Sequence, residues 1–298
     1  MQMSRGAAAA AVVMSILALG AARPAAAAAG ADAGVGVVAD YRPAAGRFSF
    51  ERLSAGASVP VQIGSVVMAG DKVTLPAGAT VTIQLADGKT SSFRGPGTFA
   101  VPDARPLGKL AAIFQSIPDL FDDEFRLSGT AASRGGETCG QAASGVKPID
   151  VPILVPGARI VAGNRDLPLA WHGGCPPFVV QVLSGADRLV HRESIEGWQV
   201  RLDDVPLVVG RYTVGITDVA GRRYDGALEA VATGPALPAE LQGDTSELGI
   251  TARAVWLARQ DGGRWRIDSF DLLRPLIRAG DPLAGSIGDG VLWGPAPR

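Results

Sequence analysis

Two histidines, two cysteines and two short runs of carboxylates are the residues of this 298-residue chain that could do chemistry. His172 stands three residues before Cys175 in "WHGGC", a spacing that zinc could use, but no further His or Cys pair lies nearby to complete a ligand set. His191 is isolated, and neither histidine falls in the His-Glu-x-x-His spacing of a metallohydrolase. No Gly-x-Ser-x-Gly elbow offers an activated serine. The Gly-rich "AGDKVTLPAGA" lacks the Gly-Lys-Ser/Thr ending of a phosphate-cradling loop. "DLFDDEF" gathers Asp119, Asp122, Asp123 and Glu124, yet a calcium loop needs spaced oxygens around a central Gly, so this run reads as a solvated helix end or turn. Asp203-Asp204 reads as a turn in the same way. Nucleophile, base and orienting group do not occur together, so the chain is read as non-enzymatic, with no catalytic residue, no metal and no cofactor.

The cysteines point to a different use once the compartment is considered. Residues 1–29 have the form of a secretory leader: Arg5, the apolar "AAAAAVVMSILALGAA", then small-x-small sites that place cleavage near Ala27 to Ala29. The apolar core is short for a membrane span, and no other run is long and apolar enough, so the mature chain is expected to be periplasmic or secreted. An even cysteine count in an oxidising compartment favours pairing. Cys139 and Cys175 both lie among Gly, Thr and Pro, where a free thiol would be exposed. A Cys139–Cys175 disulfide is therefore expected, closing a loop of about 37 residues and contributing roughly 4 kcal/mol on chain-entropy grounds.

Charge narrows the partners. Removing Arg5 and Arg23 with the leader leaves 26 basic residues against 29 acidic ones, a net charge of about −3. No basic stripe with interleaved aromatics is present, which argues against nucleic acid. The 39 Gly and 21 Pro suit short strands joined by turns.

The elements that would position any binding residue are mostly strands. In "ATVTIQLADGKTSSFRGPGTF", Ala79, Val81, Ile83 and Leu85 alternate with Thr80, Thr82 and Gln84, the period of a half-buried strand. Asp87-Gly88 marks a hairpin. A two-residue loop would put Phe93 on the polar face, whereas a three-residue loop, Ala86-Asp87-Gly88, sets Val81 opposite Phe93 and keeps the apolar face intact. The longer loop is predicted, with Gly88 left-handed in a bulge. The outward face is then Thr80, Thr82, Gln84 and Ser92, a set suited to hydrogen bonding and edge pairing rather than to attack. Flanking "VPVQIGSVVMAGDKVTLPAG" and "PGTFAVP" repeat the same grammar, giving an all-β domain over 35–103.

This stretch, with its Ile-Gly turn, "AGDKV", the strand ending in "LADG" and the following "PG", resembles the FecR-like domain, the periplasmic portion of iron-transport regulators. The resemblance covers about 65 residues. It implies a role in envelope signalling. Members of that family carry a cytoplasmic anti-sigma segment and a membrane helix before the domain; here a leader stands in that place, so direct transmembrane relay is not implied.

Residues 104–150 are read as an amphipathic helix with Leu107, Leu110, Ala111, Phe114 and Ile117 on one stripe, ended or kinked at Pro118, then a flexible linker. Over 151–233 the strand grammar returns. Trp171 in an early strand and the late "GRYTVGITDVAG" resemble an immunoglobulin or fibronectin type III sandwich, with Trp171 and Tyr212 as core. Residues 238–298 form a helical tail. Asp244 or Thr245 caps a first helix that Gly262 stops; a second contains Pro275 and ends at Gly280; a third short one starts at Asp281-Pro282. The paired helices resemble tetratricopeptide-type repeats, but one hairpin is not a repeat array.

The fold class is thus mainly β, two small β domains with a short helical tail. The function expected is an adaptor or sensor component of the bacterial envelope, binding an envelope or membrane sensor protein. Two other readings stay open: a carbohydrate-binding accessory module, for which Trp198 after "EG" is the candidate glycan platform, and a structural protein that self-associates through strand edges.

Overall fold

The alternating stretch of residues 79–99 pairs in the register its apolar face demands. In a computed structural model of the chain, β6 (Thr80–Leu85) and β7 (Thr90–Arg94) set Val81 opposite Phe93 and Thr82 opposite Ser92. Leu85 N–H donates to the Lys89 carbonyl at 2.8 Å and Gly88 has φ of +84°, so the loop is the three residues Ala86, Asp87 and Gly88. The structure describes residues 34–42, 49–52, 57–115, 117, 139 and 146–294. All of these belong to one unit running from Asp32 to Arg298. The leader and the acidic run Asp119, Asp122, Asp123 and Glu124 lie outside the described residues.

The remaining strands of the first domain are β1 (Gly36–Arg42), β2 (Ser49–Arg52), β3 (Ala57–Pro60), β4 (Val66–Val67), β5 (Lys72–Leu75) and β8 (Gly97–Ala100). They form two antiparallel four-stranded sheets, β4-β1-β6-β7 and β3-β2-β5-β8. Val38, Val67, Val73, Leu75, Val81, Ile83 and Leu85 fill the space between them. The alternate residues of β1, Val37 and Ala39, are also fully buried, on the opposite face of the first sheet. A sheet buried on both faces needs a second cover, which comes from much later in the chain.

The stripe from Leu107 to Ile117 is buried at Leu107, Phe114 and Ile117 but is not one helix. Helix α1 covers only Leu110–Phe114, because Gly108 takes a left-handed φ of +58° just before it. The predicted long amphipathic helix is thus corrected to a single turn and a half, with Leu107 held in extended chain by its N–H bond to the Gly34 carbonyl at 2.7 Å.

The second domain is a seven-stranded sandwich of β9 (Ala158–Val161), β10 (Gly163–Ala170), β11 (Phe178–Ser184), β12 (Leu189–Ile195), β13 (Gln199–Leu207), β14 (Gly210–Thr217) and β15 (Arg223–Val231). Sheet β12-β11-β14-β15-β9 faces the pair β10-β13. Trp171 lies just past the end of β10, fully buried, edge-on to Phe178 with ring centroids 5.1 Å apart. Tyr212 donates its hydroxyl to the Val208 carbonyl four residues upstream at 2.9 Å, the corner bond of immunoglobulin-like sandwiches.

Helices α2 (Glu247–Arg259), α3 (Arg266–Arg278) and α4 (Pro282–Trp293) follow. The cap of α2 is Ser246, whose Oγ accepts from Gly249 N–H at 3.0 Å, rather than Asp244 or Thr245. Asp244 instead receives the Ser246 N–H and Oγ–H. Asp281 caps α4 with Pro282 in its first turn, as the sequence predicts. The tail lies between the two β domains. Leu248, Ala252, Val255, Leu273, Leu283 and Ile287 share a core with Val37, Ala39, Val66, Phe114 and Ile117. Ile267, Leu292 and Trp293 belong to the sandwich core. The tail also covers the free edge of β9: Arg159 N–H donates to the Arg264 carbonyl at 2.7 Å and Val161 N–H to Asp268 at 3.0 Å. An open edge that would template strand pairing is blunted there.

Candidate functional site

The hairpin face predicted to bind is divided by the tail. Ser92 is exposed and shares a hydrogen bond of 3.2 Å with the hydroxyl of Thr82, which like Thr80 is half-buried. Gln84 is not part of an outward face: it is 1% exposed, and its Nε2 donates to Asp281 Oδ2 at 2.8 Å. The physical reason is α4, whose capping residue closes over the end of β6, with Ser286 Oγ donating to the Ala39 carbonyl at 2.9 Å alongside. Gln84 Oε1 is buried with no hydrogen-bond partner among the described residues. What remains accessible is a small hydroxyl surface, able to accept and donate hydrogen bonds.

Trp198 is not an exposed platform. It is half-buried, packs edge-on to Phe178 with centroids 6.1 Å apart, and donates its indole N–H to the Gly173 carbonyl at 3.1 Å. An aromatic that is to stack on a sugar must offer a face to solvent; this one is committed to the sandwich. His172 packs its ring 5.3 Å from that of Trp293, and His191 lies 3.6 Å from Glu193 on β12. Among the described residues no group of three or more His, Cys, Asp or Glu side chains is placed to hold a metal ion.

Cys139 and Cys175 form a disulfide across a sequence separation of 36. Cys175 is held by Asp218, a residue whose place in the sequence marks only the turn at Gly221. Asp218 accepts from the Cys175 N–H at 3.1 Å, from the Ala220 and Arg222 N–H groups at 3.0 and 2.9 Å, and from Arg222 Nε at 2.7 Å. Burial pushes this carboxyl up, but the Arg222 side chain and the backbone donors outweigh it and hold it below the usual carboxylate range. The signal was present in "ITDVAG", an Asp opening a turn, yet nothing local says that its second oxygen reaches back 43 residues to the disulfide.

A cleft of about 260 Å³ opens where the first β domain and the segment leading into α1 meet the start of the tail. Ala86 of the hairpin loop, Arg105, Leu107 and Lys109 before α1, and Glu240, Asp244 and Leu248 at the start of the tail are among the residues that line it. Leu107 and Leu248 are its buried apolar floor. Charged side chains of both signs edge it: Lys109 lies 3.7 Å from Glu240, and Arg105 donates to the Ala86 carbonyl at 3.4 Å. Hydrogen bonds from the Ser246 side chain and N–H hold the Asp244 carboxyl below its ordinary range, with Arg253 and Arg105 adding to the effect. Such junctions between domains are where binding clefts concentrate. No sequence pattern marks it, since the tail wall lies more than a hundred residues beyond the other two.

No family model matches the chain, and no curated protein matches it. Among solved structures it is similar to CopC from Methylosinus trichosporium OB3b, at 17% identity over 31% of this chain and 97% of that one, with a TM-score of 0.22. It is also similar to the BSP domain of a biofilm associated protein, at 13% identity over 61% of this chain and 30% of that one, with a TM-score of 0.24. At TM-scores this low neither likeness bears on fold or function.

Proposed function

We propose that this chain is an exported, non-enzymatic adaptor of the bacterial envelope, FecR-like in its first β domain, which binds a partner protein in signalling or regulation. The observation that carries the reading is the placement of the tail. Its helices share one core with the first domain and another with the sandwich, so the hydroxyl face of β6–β7 and the junction cleft are held in fixed relation. A rigid presentation of separate surfaces lowers the ordering cost of docking and suits recognition more than turnover. The disulfide fits an oxidising compartment, where such bonds persist. Among the described residues no helix is long and apolar enough to cross a membrane. Trp198, half-buried against Phe178 and bonded to the Gly173 carbonyl, supports the adaptor reading over a glycan platform.

Capture from a solubilised envelope fraction tests the reading, with the full chain as bait and a Lys109→Glu, Thr82→Arg variant of equal circular dichroism as control. Recovery of one membrane sensor that is lost with the variant supports the adaptor. Retention on glycan resin points instead to a carbohydrate module, and self-association alone to a structural protein. Reproducible turnover on hydrolase or transferase substrates, abolished by changing His172, would refute the non-enzymatic part.

A further inference from the structure

Among the described residues, the large apolar side chains left most exposed are Leu189 at 51%, Val208 at 72%, and Val209 and Val219 at 63% each. The first three share one end of the sandwich. Val208 and Val209 form the turn between β13 and β14, and Leu189 opens β12 opposite Leu183, which pairs on its other side with Thr213 of β14. The β11–β12 hairpin lies against the same turn: a Cβ on Gly185 would stand 3.3 Å from the Arg211 carbonyl oxygen. Val219 is at the opposite end, in the β14–β15 turn.

The turn is chemically unusual. Turns favour Gly, Pro, Asn and Asp, which lower the cost of the reversal or bond to the backbone. Two adjacent β-branched valines do neither. The backbone is pinned from outside instead, by the Tyr212 hydroxyl on the Val208 carbonyl. The valines are therefore presented on a fixed loop. Exposed Arg188 and Arg211 flank them, and no carboxylate pairs with either among the described residues. Asp187 of the same hairpin adds one negative charge, and Glu229, opposite Arg211 on β15, is already bonded to Arg159 at 3.0 Å.

We infer that this end of the sandwich is a contact site for an anionic phospholipid surface. A specific protein interface buries about 800 Å² on each partner and centres on aromatic side chains. Three aliphatic side chains at a projecting loop end cover less than that and include no aromatic anchor. A bilayer boundary takes aliphatic groups without shape matching, while headgroup phosphates accept hydrogen bonds from the exposed guanidiniums of Arg188 and Arg211. With so few groups the contact is weak and reversible, a means of orienting the protein at the membrane. The inference goes beyond the adaptor reading and does not depend on it.

Co-sedimentation of the full chain tests it, using vesicles of equal parts phosphatidylglycerol and phosphatidylethanolamine against vesicles of phosphatidylcholine. Stronger partition to the anionic vesicles is expected. Each of Arg188→Ser and Arg211→Ser should lower it about fivefold, and paired Val208→Asp, Val209→Asp roughly tenfold. Val219→Asp, as exposed but at the other end, should leave it unchanged. These are surface positions, and matched circular dichroism secures the comparison. The inference is overturned if the valine variant binds as the parent does, which would assign any lipid binding to another segment. It is equally overturned if Val219→Asp weakens binding as much, or if no partition is measured. Self-association in the absence of vesicles that disappears with the valine variant would assign the patch to a second copy of the chain, and would also overturn it.

Discussion

Where the tail meets the first β domain, the contact is a shared apolar core with the Gln84–Asp281 and Ser286–Ala39 hydrogen bonds set into it. Where it meets the sandwich, charge carries much of the contact. Arg165 of β10 reaches Asp268 and Asp271 of α3, each at 2.6 Å, and Arg274 pairs with Asp166. Within the tail itself, Arg266, 1% exposed, ties α3 to the end of α4 by donating to the carbonyls of Val291, Gly290 and Gly294 at 2.7 to 2.9 Å, and burial lowers its pKa to about 10. That cation sits at the negative end of α4. The two junctions differ in what they specify. An apolar core tolerates small shifts, but a charge network is satisfied in one geometry only, and breaking it leaves charges stranded. The sandwich junction should therefore be the more sensitive to single substitutions and to pH.

The largest effect is expected from Arg165→Leu. Its side chain is 20% exposed and those of Asp268 and Asp271 are 10% and 17% exposed, so removing the cation leaves two carboxylates poorly solvated. A loss of about 3 kcal/mol in urea denaturation at neutral pH is expected. A loss under about 1 kcal/mol would mean that water reaches the network and that the contrast between the junctions is overdrawn.

pH sharpens the same point, because two carboxylates contribute with opposite signs. Burial raises the Asp268 carboxyl above its ordinary value despite Arg165. A raised native pKa means the folded state binds the proton more tightly, so this group's contribution is greatest below its unfolded pKa and falls as pH rises through the native value. Asp218 is lowered, so its contribution is present above the unfolded pKa, near 4, and is lost as pH falls through the native value. In the Arg165→Leu variant the cation opposing the rise at Asp268 is gone. Its deficit should therefore shrink between neutral pH and pH near 4, where carboxylates protonate. A deficit constant across that range would remove Asp268 from the account.

At the apolar junction the sensitive point is steric. Gly64 has φ of +81°, and a Cβ there would fall 2.4 Å from the Ile117 Cβ. Gly88 has nearly the same φ, +84°, with nothing within 4 Å. Gly88→Ala should cost about 1 kcal/mol for the left-handed backbone alone. Gly64→Ala should cost about 1 kcal/mol more, since Ile117 must move out of a packed core. Equal costs would show that Ile117 yields freely and that this junction is looser than described.

Sequence pattern carried some of this and missed the rest for identifiable reasons. The hairpin register was legible because period and loop length constrain each other: only a three-residue loop keeps Phe93 with Val81. The disulfide was legible from count and compartment. The fate of Gln84 was not, because its alternation with Ile83 and Leu85 says which way it points but not that a helix capped 197 residues later covers it. The one available signal was in α4 itself. Between Pro282 and Trp293 it has a single charged residue, Asp289, and a helix so nearly apolar all round is buried on more than one side. Trp198 was misplaced for a related reason: its position after a turn argues exposure, while its indole N–H finds the Gly173 carbonyl only in the folded sandwich.

The smallest effect expected is at Gln84, and it tests the comparison from its weaker side. Gln84 makes one hydrogen bond to Asp281 while its Oε1 is buried without a partner among the described residues. Asp281 does not depend on that bond, since its other oxygen accepts from Ala284 N–H at 2.7 Å and caps α4. Gln84→Leu removes both the bond and the orphaned oxygen and puts an aliphatic group of similar volume beneath the helix. Losing the bond costs about 1 kcal/mol and relieving the orphan returns about as much, so the net change should lie within about 0.5 kcal/mol of zero. Asp281→Ala, in contrast, strips the cap as well and should cost about 1–2 kcal/mol. If Gln84→Leu instead proves as costly as Asp281→Ala, the polar link is what seats the tail on the first domain, and the division into an apolar and a charged junction fails.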